Sequence, residues 1–438
     1  MTGVQTCALP ICLGALEKAR GFIDWDRSRA FRDDLSATLA TIAGELGEAA
    51  PMMAVERLLR FVAGHEAVLA RVDDSSGRIQ GVYEDAVAAI GDLAAKLAPA
   101  EAGRLPDIIM TPLGQSSHGY LLPVARAVAG HLQPETLARW DAALAEALRK
   151  QEAKDLNGGE RRYGSPASQW REVRQIIAEA RGDLDGLIAL EGGKHPNLQD
   201  VQGIAQRLLE AGRAGEALDW IRRESRSQLR FMSAVDLADG APSRDAPTPR
   251  RANLEARILD GLGERAAAQE LRWKTFADTL DAQTLRDYLV NLPDFEEFDA
   301  LDRAFAHAMS GERRYLALEF LLGWPRLDLA ARLVVTHADK WSGQFYHILA
   351  PAAEALEEGH PLAASLLYRA LLDDILAKGR SGAYSHAAAY FVRLDLLAAL
   401  LDPDVTAPAP FPNHSAFRAA ITKAHARKSG FWALVKQP

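Results

Sequence analysis

The segment PAAEALEEGHPLAASLLYRALLDDILAKGRSGAYSHAAAYFVRLDLLAALL, residues 351–401, carries the strongest structural signal in this chain. Gly359 and Pro361 predict that one helix ends and another begins, because glycine suits the left-handed position after a helix and proline suits a first helical turn. Gly379 and Gly382 predict a second break. The segment therefore predicts three helices that stack through two short turns.

The middle predicted helix, which begins at Pro361, is apolar almost all round. Its polar stripe is narrow and consists of Ser365, Arg369 and Asp373, each four residues apart. A helix of this kind is buried between neighbours. Asp374 falls inside the main apolar face, where an ionised carboxylate is costly unless a partner pairs with it.

The third predicted helix offers polar partners for that carboxylate. A short turn makes the two helices antiparallel neighbours, so we expect His386 or Arg393 to reach Asp373 or Asp374. One interpretation is a structural network of ion pairs and hydrogen bonds. The alternative is a ligand pocket, because clustered ionisable groups also mark functional sites. The candidate pocket residues are Asp374, His386, Tyr390, Arg393, Arg369 and Asp373.

The composition is that of a folded, helical protein. Of the 438 residues, 48% are hydrophobic and 25% are charged, which is ordinary for a globular chain. Alanine and leucine dominate and β-branched runs are scarce, which favours helix over sheet. The chain is long for one compact core, so several cores or one extended stack are both expected. No apolar run approaches the roughly 18–20 residues of a membrane span.

The first twelve residues are expected to be an artefact. Residues 2–11, TGVQTCALPI, resemble the translation of a sequencing-library adapter, so residues 1–12 are excluded from the fold prediction. Cys7 and Cys12, the only cysteines, fall in this segment. Without them the chain has no disulfide or thiolate zinc site, which suits a reducing cytoplasm. We expect a cytoplasmic protein whose native N-terminus is missing.

Polar segments rich in proline or glycine divide the remainder. We expect a truncated N-terminal helical lobe at residues 13–157 and a helical-repeat lobe at 167–401, divided near Gly158. Residues 402–438 are expected to form a linker, a last helix and a basic tail. The five lysines and arginines after Asp404 give the tail +5, so the rest of the chain carries −8 − 5 = −13. We expect this tail to dock on the acidic body.

A spaced motif recurs in the repeat lobe. The pattern Leu-x3-Gly-x4-Ala is typical of tetratricopeptide-like hairpins, in which glycine forms the turn and a small residue lets two helices cross closely. It occurs at Leu208, Gly212 and Ala217 and at Leu259, Gly263 and Ala268, with partial copies at Gly359 and Ala364 and at Gly182 and Leu187. Its irregular period predicts an all-α fold, an irregular α-solenoid of antiparallel helical hairpins.

An acidic helix is predicted to begin at Pro293. Its first turns hold Asp294, Glu296, Glu297 and Asp299, where the helix dipole favours negative charge. Phe295 and Phe298 are expected to face the core.

Six segments carry a resemblance to a known family: GFIDWDRSRAF, LEARILDGLGERAAAQELRWKTF, LVNLPDFEEFDALDRAFAHA, HPLAASLLYRALLDDIL, SHAAAYFVRLDLLAA and HARKSGFWALV. In this order the chain resembles an uncharacterised bacterial family of all-helical proteins, a domain of unknown function. The resemblance covers most of residues 13–435 and is strongest after Arg251. It implies a helical fold, further helices before the GFIDW-like segment and no activity. Some relatives of this helical type resemble proteins with a SWIM zinc finger, whose Cys/His set this chain lacks.

Catalytic signatures are absent from the sequence. There is no Gly-x4-Gly-Lys-Ser/Thr phosphate loop and no His-Glu-x2-His zinc motif. Ser116, Ser117 and His118 are adjacent, a spacing that rarely aligns a nucleophile with its base, so we interpret them as a loop. We predict no catalytic residue, no cofactor and no metal site.

The basic tail combines Arg427 and Lys428 with Phe431 and Trp432, a combination that can serve nucleic-acid binding. A net charge of −8 opposes that function, because the acidic body repels phosphates. The favoured interpretation is that the two aromatic residues anchor the last helix.

The sequence favours a non-catalytic helical-repeat scaffold whose concave surface binds a protein or peptide partner. The alternative is an enzyme or small-molecule sensor with a polar pocket in the helix pair at residues 361–398. A weaker alternative is a nucleic-acid-associated regulator that uses the tail.

Overall fold

The computed structural model describes residues 14, 16, 19–115, 119, 121–158, 167–223, 233–240, 248–401 and 412–435, with side chains left out at 154–158. Over these ranges the chain is all-helical, as predicted, and it forms no strand; a single parallel bridge joins Ile23 and Val72. The predicted artefact at residues 1–12, the loop from Ser116 to His118 and the linker at 402–411 lie outside the described residues. The chain divides into two compact units, Met1–Gln199 and Asp200–Pro438.

The first unit surrounds its own core. Its helices are α1 (Trp25–Thr41), α2 (Pro51–Ala63), α3 (His65–Leu69), α4 (Arg78–Ala94), α5 (Pro99–Ala102), α6 (Leu105–Gln115), α7 (Leu122–Ala129), α8 (Pro134–Gly158), α9 (Ala167–Ala180) and α10 (Leu184–Gly192). A π-helical turn, Ile42–Leu46, and a short turn, Gly47–Ala49, extend α1. Helices α2, α4 and α7 contribute the fully buried Leu58, Ile90 and Val124 to the centre of this core.

The division expected near Gly158 falls inside the first unit. Helices α8 and α9, which lie on either side of that position, pack against each other. Arg174 on α9 also pairs with Asp141 on α8, with 2.7 Å between Nε and Oδ1. The structure places its own boundary after Gln199.

The second unit contains the remaining helices. They are α11 (Val201–Glu210), α12 (Ala214–Ile221), α13 (Ala234–Asp239), α14 (Pro249–Gly261), α15 (Arg265–Thr279), α16 (Ala282–Val290), α17 (Glu297–Ser310), α18 (Arg314–Gly323), α19 (Leu327–Thr336), α20 (Tyr346–Leu356), α21 (Pro361–Ala377), α22 (Tyr384–Ala398), α23 (His414–Ala424) and α24 (Ser429–Val435). Most of them pack on the next helix in the chain or the next but one; α13, which packs on α18, is an exception.

Two copies of the predicted motif form the same turn. Gly212 and Gly263 have φ values of 74° and 81°, in the left-handed region that favours glycine. The amide of the residue after each glycine bonds back across the turn: Arg213 donates to the Leu208 carbonyl at 2.8 Å, and Glu264 to that of Leu259 at 2.9 Å. This is the Schellman arrangement, which satisfies the last carbonyls of a helix.

The partial copy at Gly359 is different. Gly359 does not adopt a left-handed conformation, so the predicted role of this glycine is wrong. The turn is closed instead by the His360 amide, which donates to the Leu356 carbonyl at 2.9 Å. Ala364 is fully buried, as a close helix crossing requires.

The expectation that Phe295 and Phe298 face the core is also wrong. Their exposed fractions are 84% and 66%. Helix α17 begins at Glu297 rather than at Pro293, and its buried face is set by Ala300, Ala304 and Ala308. Phe298 precedes Ala300 by two residues, which is about 200° around a helix, so it points away from the core.

Helix α21 is enclosed on nearly every side, as its sequence predicted. Its buried residues are Ala363, Ala364, Ser365, Leu366, Leu367, Tyr368, Arg369, Leu371, Leu372, Ile375 and Leu376. It packs on α20, on α22, on α19 and on the 3-10 turn Gly343–Phe345. At that turn Gly343 approaches so closely that a Cβ atom would collide with the Ala370 carbonyl oxygen and lie 2.7 Å from Asp374 Cβ.

We therefore predict that Gly343→Ala destabilises the second unit by about 1–3 kcal/mol, because the obstructing atoms include backbone that cannot easily move. Chemical denaturation measures this change. Gly382→Ala is the matched control, since a Cβ there meets nothing within 4 Å, and it should change stability by less than about 0.5 kcal/mol. Equal effects of the two substitutions would contradict the close approach.

Candidate functional site

The six predicted pocket residues separate into distinct groups around α21 and α22. In the first group Arg393 pairs with Glu357, the residue just after α20, with 2.6 Å between Nη1 and Oε1. The buried Tyr368 hydroxyl donates to the same carboxylate. Burial and then Glu357 raise the pKa of Tyr368, and the hydrogen bond that Arg393 donates to Glu357 raises the pKa of Arg393. Glu357 is therefore held by a phenol and a guanidinium.

Two of the predicted residues lie beside this group. Tyr390 stacks against Tyr368 with 5.3 Å between ring centroids, and burial raises its pKa. His386 is exposed, and its ring lies 6.4 Å from that of Tyr390. Of these three rings, that of Tyr368 is buried, that of Tyr390 is half-buried and that of His386 is exposed.

Asp374 belongs to a second group. Its carboxylate lies 2.6 Å from Lys378 Nζ and 3.1 Å from Arg380 Nη1. The predicted pairing of Asp374 with His386 or Arg393 is therefore wrong. Asp374 faces the turn at Gly343, on the side of the preceding hairpin, and its cations come from the C-terminal end of its own helix and the residues just after it.

Arg369 and Asp373 form a third group. The Arg369 guanidinium is buried over the Phe417 ring, 4.6 Å from its centroid, and donates to the Pro412 carbonyl at 2.8 Å. Burial lowers the pKa of Arg369, and Asp373 opposes this shift. The Asp373 side chain reaches solvent, yet surrounding protein desolvates it and raises its pKa to about 6, against the opposing charge of Arg369.

These contacts favour the structural-network interpretation over one shared pocket. Four of the six candidates contact partners outside the set, namely Glu357, Tyr368, Lys378, Arg380, Pro412 and Phe417. The other two, His386 and Asp373, lie beside Tyr390 and Arg369 of the set. None of the six lines the cavity that the structure does form at the other edge of α21.

That cavity has a volume of about 580 Å³ and lies where α19, the start of α21 and the end of α22 meet. Its walls are mainly apolar and come from Ala331, Val335, Pro361, Leu362, Ala363, Leu400 and Leu401. Its polar lining consists of Asp328, Arg332, Thr336 and His360. We call this feature the α19–α21 groove.

The groove follows from helical spacing. Asp328, Arg332 and Thr336 are four residues apart and therefore share one face of α19, while Ala330 and Val334 bury the opposite side. Proline at the first turn of α21 places Leu362 at the helix start beside this face. The groove is thus a gap between two helices that both belong to the core.

The charges at the rim are not balanced. Arg326 donates to both carboxylate oxygens of Asp328, at 2.9 and 2.8 Å, and lowers the pKa of Asp328 to about 2. Asp328 is therefore ionised and already paired. Arg332 is exposed and makes no ion pair among the described residues, so it leaves one available cation at the rim.

An apolar stripe leads into the groove, and the sequence reasoning missed it. Val392, Leu396 and Leu400 have exposed fractions of 44%, 63% and 66%, and Leu400 also lines the groove. They lie four residues apart along α22 and the turn after it. This four-residue spacing is present in the sequence. Phe391 and Leu394 form a stronger apolar face on the same helix, and that face alone was recognised.

The aromatic residues of the tail are packed inside the fold. Phe431 is fully buried, and Trp432 packs on Phe391 with 5.6 Å between ring centroids while its Nε1 donates to the His425 carbonyl at 2.9 Å. Arg418 pairs with Asp395 of α22 at 3.1 Å. The prediction that Phe431 and Trp432 anchor the last helix is confirmed.

No group of three or more His, Cys, Asp or Glu side chains among the described residues is placed to hold a metal ion. None of the helices in the described ranges combines the length and apolar character needed to cross a membrane.

We predict that Asp373→Asn stabilises the fold only above about pH 4. The folded-state pKa of about 6 lies above the ordinary 3.8, so ionising this carboxyl destabilises the folded protein as pH rises through this interval. Solvent screens the carboxylate, so the gain at neutral pH should be about 1 kcal/mol or less.

Thermal melting of wild type and Asp373→Asn from about pH 4 to 8 measures this difference. Asp278→Asn is the exposed control and should show no pH-dependent gain. A gain for Asp373→Asn that is largest at the acidic end would contradict the assigned direction.

No curated protein and no solved structure matches the chain. One protein family matches residues 2–434, which is nearly the whole sequence, and this agrees with the resemblance expected from the six sequence segments. The chain therefore belongs to this family, DUF6880, a family of unknown function.

Proposed function

We propose that this protein is a non-catalytic helical-repeat scaffold that binds an apolar segment of a protein partner in the α19–α21 groove. The observation that carries the proposal is the continuity of this apolar groove with the exposed stripe of Val392, Leu396 and Leu400. Exposed apolar residues at such spacing are typical of a surface that another protein covers.

An irregular solenoid is the architecture that supports this role. Packing of each helix mainly on its neighbours along the chain is what a stack of hairpins requires, and the left-handed turns at Gly212 and Gly263 are the hairpin turns. Stacks of this kind present extended surfaces rather than one enclosed site.

The shape of the groove suits a short amphipathic helix. The stripe from Val392 to Leu400 spans eight residues, which is about 12 Å along a helix axis. A partner helix with apolar residues at positions i, i+4 and i+8 would place them against this stripe and the apolar walls. Arg332 at the rim would favour an acidic residue or a terminal carboxylate on the partner.

We predict that Leu400→Asp weakens binding of such a segment by at least about tenfold, because a buried, unpaired carboxylate is costly in an apolar contact. The measurement is selection of peptides from a random display library on the intact protein, followed by fluorescence anisotropy with the best peptide. Leu237→Asp is the control, since Leu237 is 63% exposed in the same unit but lies on α13. Selected peptides that bind Leu400→Asp as tightly as wild type would contradict the proposal.

The alternative role as an enzyme or small-molecule sensor has one observation in its favour. A volume of about 580 Å³ lies within the range of ligand pockets, roughly 300–1,000 Å³. In this case a compound should raise the melting temperature of the wild type, and filling the groove with Ala331→Phe should remove the effect. The nucleic-acid alternative has less support, because Phe431 and Trp432 are not free to stack on bases.

A further inference from the structure

A second exposed apolar surface lies at the connection between α16 and α17. Val290 ends α16 and is 84% exposed, Phe295 in the connection is 84% exposed, and Phe298 in the first turn of α17 is 66% exposed. No other stretch of nine described residues holds three large apolar side chains with exposed fractions this high. We call residues 287–302 the acidic–aromatic turn.

The fold itself does not require these side chains. Phe295 has φ of 72°, a conformation that a bulky residue rarely adopts and that glycine or asparagine would tolerate better. The packing of α17 is provided by Ala300, Ala304 and Phe305 instead. The stability of the fold therefore does not explain why a strained and exposed phenylalanine stands at position 295.

The charge within residues 287–302 is negative, and the flanking Arg286 and Arg303 lie over the rings of Trp324 and Trp273. The acidic–aromatic turn contains six carboxylates and no lysine, arginine or histidine: Asp287, Asp294, Glu296, Glu297, Asp299 and Asp302. Four of them, at 294, 296, 297 and 299, are exposed and alternate with the two phenylalanines. The helix dipole accounts for acids at the start of α17, but it does not account for exposed aromatic rings between them.

The basic tail of the chain does not cover this surface in the described residues. Arg418 pairs with Asp395, the Lys428 ammonium lies by Gly379, and α23 and α24 pack on α22. The turn therefore keeps both its apolar side chains and its negative charge available to another molecule.

We propose that the acidic–aromatic turn binds a basic segment of a partner protein, in which lysines or arginines flank two or more apolar residues. Cations match the carboxylates, and the apolar residues cover Val290, Phe295 and Phe298. The negative charge argues against other occupants. A second copy of the same turn would bring six further carboxylates into contact, and a nucleic acid or an anionic membrane would be repelled. This inference does not depend on the α19–α21 groove.

The test starts with a random 16-residue peptide library displayed on phage and selected on the intact protein, with a Phe295→Asn/Phe298→Ser variant for counter-selection. We expect the enriched peptides to carry a net positive charge and at least two apolar residues. The best peptide, measured by fluorescence anisotropy, should bind the double variant at least about tenfold more weakly. Its affinity for the wild type should fall as salt is raised, because exposed charge pairs are screened.

Two controls separate this surface from general effects. Leu237→Ser removes an apolar side chain that is exposed to 63% elsewhere in the unit and should leave binding unchanged. Glu296→Lys/Glu297→Lys should abolish binding, whereas Glu270→Lys/Glu358→Lys, with the same change in net charge at exposed positions, should have at most a small effect.

A stability measurement separates a binding role from a structural one. Asparagine tolerates the positive φ at position 295, so Phe295→Asn alone should weaken peptide binding without lowering the melting temperature. The proposal is overturned if no enriched peptide depends on Phe295 and Phe298, or if the enriched peptides lack lysine and arginine. It is also overturned if the wild type instead forms a dimer that the double variant cannot form, since the occupant would then be a second copy.

Discussion

The apolar surface of α21 extends almost all the way around the helix, and it can leave water only if other parts of the chain lie on every side. Leu366, Leu367, Leu371, Leu372 and Leu376 are each at most 3% exposed, and burying one such side chain contributes about 1.5–3 kcal/mol. The exposed ion pairs nearby are worth about 0–1 kcal/mol each. Burial of α21 therefore dominates, and it positions α19, α20, α22 and the turn at Gly343 around it.

The polar groups of this region are arranged within that constraint. Glu357, Asp374 and Arg369 each lie where enclosure of α21 leaves little water, and each has a partner: Arg393 and Tyr368 for the first, Lys378 and Arg380 for the second, Pro412 and Phe417 for the third. Burying an unpaired charge would cost on the order of several kcal/mol, so α21 can be enclosed only because these charges have partners. The surfaces left over, the α19–α21 groove and the acidic–aromatic turn, have apolar residues that no described neighbour covers. They are the surfaces on which the two proposed contacts with another molecule depend.

The sequence predicted the features that depend on local pattern. The helical content, the burial of α21, the left-handed turns at Gly212 and Gly263 and the anchoring of the last helix follow from periodicity and from turn chemistry. The sequence prediction failed for contacts that depend on which neighbouring element a helix face packs against. Asp374 faces the preceding hairpin rather than α22, and Arg369 is covered by Pro412 and Phe417, more than forty residues later in the chain.

Helical phase explains the error at Phe298. This residue lies two positions before Ala300, about 200° around α17, so it points away from the buried face. The six candidate residues taken from the sequence do not line the α19–α21 groove. Ionisable residues attract attention in a sequence, whereas the groove is built from Val335, Leu362 and Leu400, which read as ordinary core positions until their neighbours are known.

Amide hydrogen exchange of the intact protein, read segment by segment by mass spectrometry, measures directly how far α21 is enclosed. We predict that amides of α21 exchange most slowly in the second unit, because they open only when the helices around them separate. The amides of α23, which buries only Phe417 and Ile421, should exchange much faster. Exchange of α21 as fast as that of α23 would contradict the dominant role of its burial.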